Sequence, residues 1–123
     1  MTEYNIYVGL NDQFKKKQIF GTEKYISILR KVCKSYQVAF SFDIINGGYL
    51  YDNGDYVEET SLHITLLDQT KETVNEIAKD LCTFFNQESV MITHSSVETY
   101  YIRGESKVME VGRQLTAKDG IDA

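Results

Sequence analysis

A chain of 123 residues is long enough to bury one hydrophobic core and too short for two ordinary domains. Its 18 acidic residues outnumber 13 basic ones, and the resulting net charge of −5 excludes the uniformly basic surface that duplex nucleic acid or an anionic membrane selects. Hydrophobic residues at 42% and charged residues at 25% exclude a disordered or fibrous chain, and proline and tryptophan are both missing.

Tyr4, Ile6, Val8 and Leu10 alternate with smaller or polar residues, the period of a strand with one face in a core, and Asn11 and Asp12 end it. A polar loop carrying Lys15, Lys16 and Lys17 follows. Thr22 is a candidate helix cap with Glu23 in the first turn, and Tyr25, Leu29, Val32, Cys33 and Tyr36 keep helical spacing, so a helix is expected over residues 23–36. Val38, Phe40, Phe42 and Ile44 restore the strand period. Asn46, Gly47 and Gly48 then interrupt it, which predicts a bulge or a close backbone approach. A phosphate cradle is the weaker reading, because such loops join a strand to a helix N-terminus and these glycines lie between two extended segments.

Asn53-Gly54 predicts a hairpin turn, with a third strand returning through Tyr56 and Val57 into Leu62, Ile64 and Leu66. The acidic group Asp52, Asp55, Glu58 and Glu59 reads as a solvated hairpin tip. Thr70 caps a second helix whose stripe is Val74, Ile77, Ala78, Leu81, Cys82 and Phe85. Val90 and Ile92 open a fourth strand, expected to pause near Ser95 and Ser96 and resume through Val97, Tyr100, Tyr101 and Ile102.

This order predicts an α+β, ferredoxin-like βαββαβ fold: a four-stranded antiparallel sheet, two helices on one face and an extended hairpin between the second and third strands. Residues 1–103 form the expected domain and residues 104–123 a partly mobile extension. The open face, carrying Tyr7, Ile45, His63, Leu67 and Met91, is apolar enough to predict a homo-oligomer, with a covering C-terminal segment through Val108, Met109, Val111 and Leu115 as the alternative. Cys33 and Cys82 read as small buried hydrophobes in a reducing compartment, with no spacing suited to a metal, and no cofactor is implied. The N-terminus has no leader-like pattern and no run nears the roughly 18 residues of a bilayer span, so a cytoplasmic protein is expected.

His63-Ile64-Thr65 and His94-Ser95-Ser96 resemble the paired signature of the 2H phosphoesterases, in which two histidines serve as acid and base. The two differ in strand phase, so only a bulge would bring them to one face. Binding has better material. Tyr100 and Tyr101, with Arg103, Lys107 and Arg113, suit stacking and charge-assisted contact to an anionic nucleotide, and Asn86 and Gln87 add amide groups. The segments NIYVGLND, GGYLYDNGDYVEETSLHITLL and FFNQESVMI, within residues 4–102, resemble small proteins of phages and mobile elements. Within that group the chain is similar to the anti-Thoeris proteins. The resemblance implies a non-catalytic, cytoplasmic homo-oligomer that sequesters a cyclic nucleotide or ADP-ribose-type signal. The alternatives are an inhibitor that docks on a host defence enzyme, as anti-CRISPR proteins do, and a small 2H-type phosphodiesterase.

Overall fold

The computed structural model describes residues 1–50 and 52–105. Its elements are β1 (Thr2–Gly9), α1 (Thr22–Ser35), β2 (Ser41–Leu50), β3 (Tyr56–Leu67), α2 (Lys71–Phe84) and β4 (Met91–Ser96), the ferredoxin-like βαββαβ order. The strands form one sheet in the order β2-β3-β1-β4, and every neighbouring pair is antiparallel. Alternation in β1 and β3 puts Ile6, Val8, Leu62, Ile64 and Leu66 on the covered face, all fully buried. Leu29, Val32 and Cys33 of α1 and Val74, Ile77 and Leu81 of α2 close the core over them. Burial pushes the Cys33 thiol up to about 11, so it remains an inert, protonated core group.

The helix starts differ. Thr70 caps α2 by accepting the Thr73 backbone N–H at 3.1 Å, as its position predicts. α1 is capped by Gly21 without a side-chain bond, because the Thr22 hydroxyl instead accepts Gln18 Nε2 at 3.1 Å.

The interruption expected at Gly47 and Gly48 is not a bulge. β2 pairs one-to-one with β3 throughout, with Asn46 opposite Thr60, Gly47 opposite Glu59 and Gly48 opposite Glu58. Close approach explains Gly48: a side chain there would meet the Tyr56 ring at 3.0 Å and the Val57 carbonyl at 3.4 Å. Among the described residues the left-handed glycine is Gly54 (φ 94°) at the hairpin turn, where Asn53 Oδ1 accepts the Asp55 N–H at 2.9 Å.

The fourth strand ends at Ser96 and does not resume through Tyr100 and Tyr101. Ser96 pairs with Thr2, the first residue of β1, so no edge remains to extend the ladder. Val97 N–H reaches the Met1 carbonyl at 2.8 Å as the last such bond. The segment expected to cover the open face, from Val108 to Leu115, lies outside the described residues. Among the described residues no helix is long and apolar enough to cross a membrane.

Candidate functional site

The outer rungs of the β2–β3 ribbon build a cavity of about 420 Å³ lined by Asn46, Gly47, Gly48, Tyr56, Glu58, Glu59 and Thr60. That volume lies in the range of small-molecule sites, about 300–1,000 Å³. Two glycines give a floor without side chains, Tyr56 supplies an aromatic wall, and Asn46 Oδ1 accepts the Thr60 hydroxyl at 3.0 Å.

Glu59 also lines a second cavity of about 240 Å³. Its Oε2 accepts the Asn11 backbone N–H at 2.9 Å, and its carboxylate lies in the space that a side chain at Gly9 would occupy. The strand end that lacks a β-carbon therefore seats the one acid shared by both cavities.

The opposite wall of the second cavity is the loop between β1 and α1, contributing Asn11, Asp12, Gln13 and Lys16. Asp12 organises it. Asp12 Oδ2 accepts the N–H groups of Phe14 at 3.0 Å and Lys15 at 2.9 Å, while Asn86 Nδ2 donates to Oδ1. The Lys15 N–H bond, followed by the Asn86 bond, holds the Asp12 carboxyl below its usual range. Asn86, left-handed at φ 52° just past α2, also accepts Gln13 Nε2 at 3.0 Å. Gln87 lines the same cavity and donates from Nε2 to the Asn11 carbonyl at 2.7 Å.

Of the residues expected to bind ligand, the structure brings only Gln87 to this site directly. Asn86 supports it from behind through Asp12 and Gln13. Tyr100, Tyr101 and Arg103 are exposed, follow the last strand and line neither cavity; Tyr100 and Tyr101 are 77% and 85% accessible. Lys107 and Arg113 lie outside the described residues. Sequence reasoning missed Glu59, Tyr56 and Lys16. The acidic group it read as a hairpin tip divides: Asp52 and Asp55 are at the tip, whereas Glu58 and Glu59 are rungs of β3.

The histidine pair is not a site. His63 pairs with Tyr7 and His94 with Tyr4, and an odd separation along β1 puts them on opposite faces. His63 stacks on Tyr7 with centroids 4.5 Å apart, its Nε2 is 2.7 Å from Asn5 Oδ1 and its Nδ1 is 3.2 Å from Asp43 Oδ2. The open face, expected to be apolar, thus has a hydrogen-bonded polar centre flanked by exposed Leu67 and Met91.

No protein-family model matches the chain, and no curated protein does. Among solved structures it is similar to a phage SAM lyase in the apo state, with 28% identity over 76% of this chain and 78% of that one and a TM-score of 0.60. A phage SAM lyase in complex with S-methyl-5'-thioadenosine aligns with 25% identity over 76% and 79% of the two chains and a TM-score of 0.59. The divalent cation tolerance protein CutA of Archaeoglobus fulgidus, at 13% identity over 89% and 93% and a TM-score of 0.53, shares the fold. These findings support the phage-type resemblance but not the narrower anti-Thoeris one. They also correct the expectation of a protein without catalysis, because both phage neighbours are enzymes.

Proposed function

We propose that the chain is a lyase that cleaves S-adenosylmethionine (SAM) and releases S-methyl-5'-thioadenosine. The observation that carries this reading is the similarity to the two phage SAM lyases, one of them holding that thioadenosine. The site's chemistry supports it. SAM is a sulfonium cation with a flat purine at one end and an amino acid at the other. Glu58, on the same face as the Tyr56 ring, and Glu59, on the other, suit a cation better than the phosphates of a cyclic nucleotide, which they would repel.

Breaking the bond between sulfur and the methionine γ carbon moves its electron pair to sulfur and neutralises the sulfonium. Without water, an oxygen of the substrate's own carboxylate takes the γ carbon and closes a five-membered lactone. The positive charge lost at sulfur balances the negative charge lost on ring closure, so no proton, water or redox partner is consumed. Glu59, oriented by Asn11, holds the sulfonium, and the cavity walls keep the amino-acid tail folded towards its own γ carbon. Incubating purified protein with SAM and separating the products by chromatography and mass spectrometry tests the reading. The expected result is release of the thioadenosine by the wild type and a loss of about a hundredfold in rate for Glu59→Gln, the scale of removing one preorganised electrostatic group. Equal rates in the two proteins would remove Glu59 from the chemistry.

Exposed Leu67 and Met91 support assembly of copies through the open sheet face.

A further inference from the structure

β2 is the outer strand of the order β2-β3-β1-β4, and among the described residues no strand lies beyond it. Alternate backbone N–H and C=O groups along it therefore point away from the β3 ladder. Proteins ordinarily guard such an edge by shortness, a bulge, proline or lysine. β2 has none of these guards: it runs ten residues, pairs one-to-one with β3, and contains neither lysine nor proline. Ile44 and Leu50, 49% and 62% accessible, lie along it. The edge at the other side of the sheet, β4, is only six residues long.

We propose that β2 pairs antiparallel with β2 of a second copy of this chain, joining two four-stranded sheets into one of eight strands. A two-fold axis relating antiparallel neighbours stands perpendicular to the sheet, so the helices of both copies stay on one side. Opposed residues then share a face, which requires the axis to pass through a residue. Asn46 is the residue about which the strand is complementary to itself. Ile45 faces Gly47 of the second copy, Ile44 faces Gly48, Asp43 faces Tyr49 and Phe42 faces Leu50. The two branched side chains thus meet the two positions that have none, and at Gly47 a single copy leaves open space within 4 Å of where a side chain would start. Such cross-strand pairs are what stabilises a sheet. Leu50 of the second copy reaches Phe42, whose ring already carries the Arg30 guanidinium 5.5 Å from its centroid. Charge agrees with this register. It carries the hairpin tip, with Asp52 and Asp55, past Ser41 of the other copy towards the end of α1, which the Val38 N–H ties to the start of β2 through the Cys33 carbonyl at 3.2 Å. The groove along α1 is lined there by Arg30, Lys31 and Lys34. This contact is separate from the open sheet face, and it stands whether or not the chain cleaves SAM.

Disulfide formation under mild oxidation of the purified chain tests the register. Asn46→Cys puts two thiols across the axis from each other, whereas Ser41→Cys puts them about 34 Å apart along the paired strands. Groups held together have an effective concentration on the order of millimolar, so at micromolar protein Asn46→Cys is expected to form a covalent dimer about a hundredfold or more faster than Ser41→Cys. The wild type, with Cys33 buried and Cys82 half-buried, sets the background. Adding Ile44→Lys places a charge in the contact and is expected to slow the Asn46→Cys cross-link by about tenfold or more. Equal rates for Asn46→Cys and Ser41→Cys overturn the pairing, as does a cross-link that Ile44→Lys leaves unchanged. Light scattering gives a reading that needs no new cysteine. Leu67→Lys, which acts on the open face, is expected to dissociate the assembly only as far as a dimer, and Ile44→Lys with Leu67→Lys to give a folded monomer. A monomer with Leu67→Lys alone, or a dimer that persists in the double variant, overturns the pairing.

Discussion

Gly9 and Glu59 were not legible as a pair in the sequence, because fifty residues separate them and neither lies in a recognisable motif. What joins them is the β1–β3 register, which sets Gly9 opposite Ser61 and frees space for the nearby carboxylate. The nearest atoms that a methyl group at Gly9 would meet are the flexible end of Glu59, so the fold accommodates Gly9→Ala by moving that side chain while the site does not. The expected outcome is a fall in kcat of about tenfold or more with a melting temperature within about 3 °C of wild type. A variant that retains full activity would show that the seating of Glu59 is immaterial. Gly48→Ala differs in kind: the new methyl pushes on the Tyr56 ring, and a rise in KM with little change in kcat is expected from the displaced aromatic wall of the larger cavity.

At the level of elements, the alternation of Ile6 and Val8, the stripes of α1 and α2 and the Asn53-Gly54 turn were all legible, since each is a local pattern with one physical reading. The C-terminal end of β4 was not. Tyr100, Tyr101 and Ile102 have strand propensity, but a strand also needs a partner, and β1 begins at Thr2. The β1–α1 loop was legible only as polar, because its order depends on Asp12 meeting Asn86 across 74 positions of sequence. The Asp12 carboxyl is held below its ordinary value of 3.8, so its contribution to the loop is fully present above that pH and is lost as pH falls through the lower folded value. Asp12→Asn is therefore expected to loosen this loop near neutral pH, read as faster amide hydrogen exchange at Phe14 and Lys15. Unchanged exchange there would mean that the carboxylate does not hold the turn.

Across the whole molecule, the net charge of −5 argues against a uniformly basic surface but does not say which small ligand the chain takes. The anionic-nucleotide expectation rested on Arg103, which lines neither cavity, whereas the acids that do line them favour a cation. Light scattering should report a homo-oligomer that Leu67→Lys dissociates without unfolding, since the substitution puts a charge into the proposed contact. A monomeric wild type at high concentration would contradict that assembly. Catalysis and sequestration diverge most plainly in stoichiometry, because a binder removes one ligand per site and an enzyme turns over. The decisive measurement is the progress curve of SAM loss and S-methyl-5'-thioadenosine gain at a large excess of SAM over protein. The account predicts mole-for-mole conversion far beyond the protein concentration. Recovery of intact SAM, with depletion stopping at one equivalent per site, would contradict it.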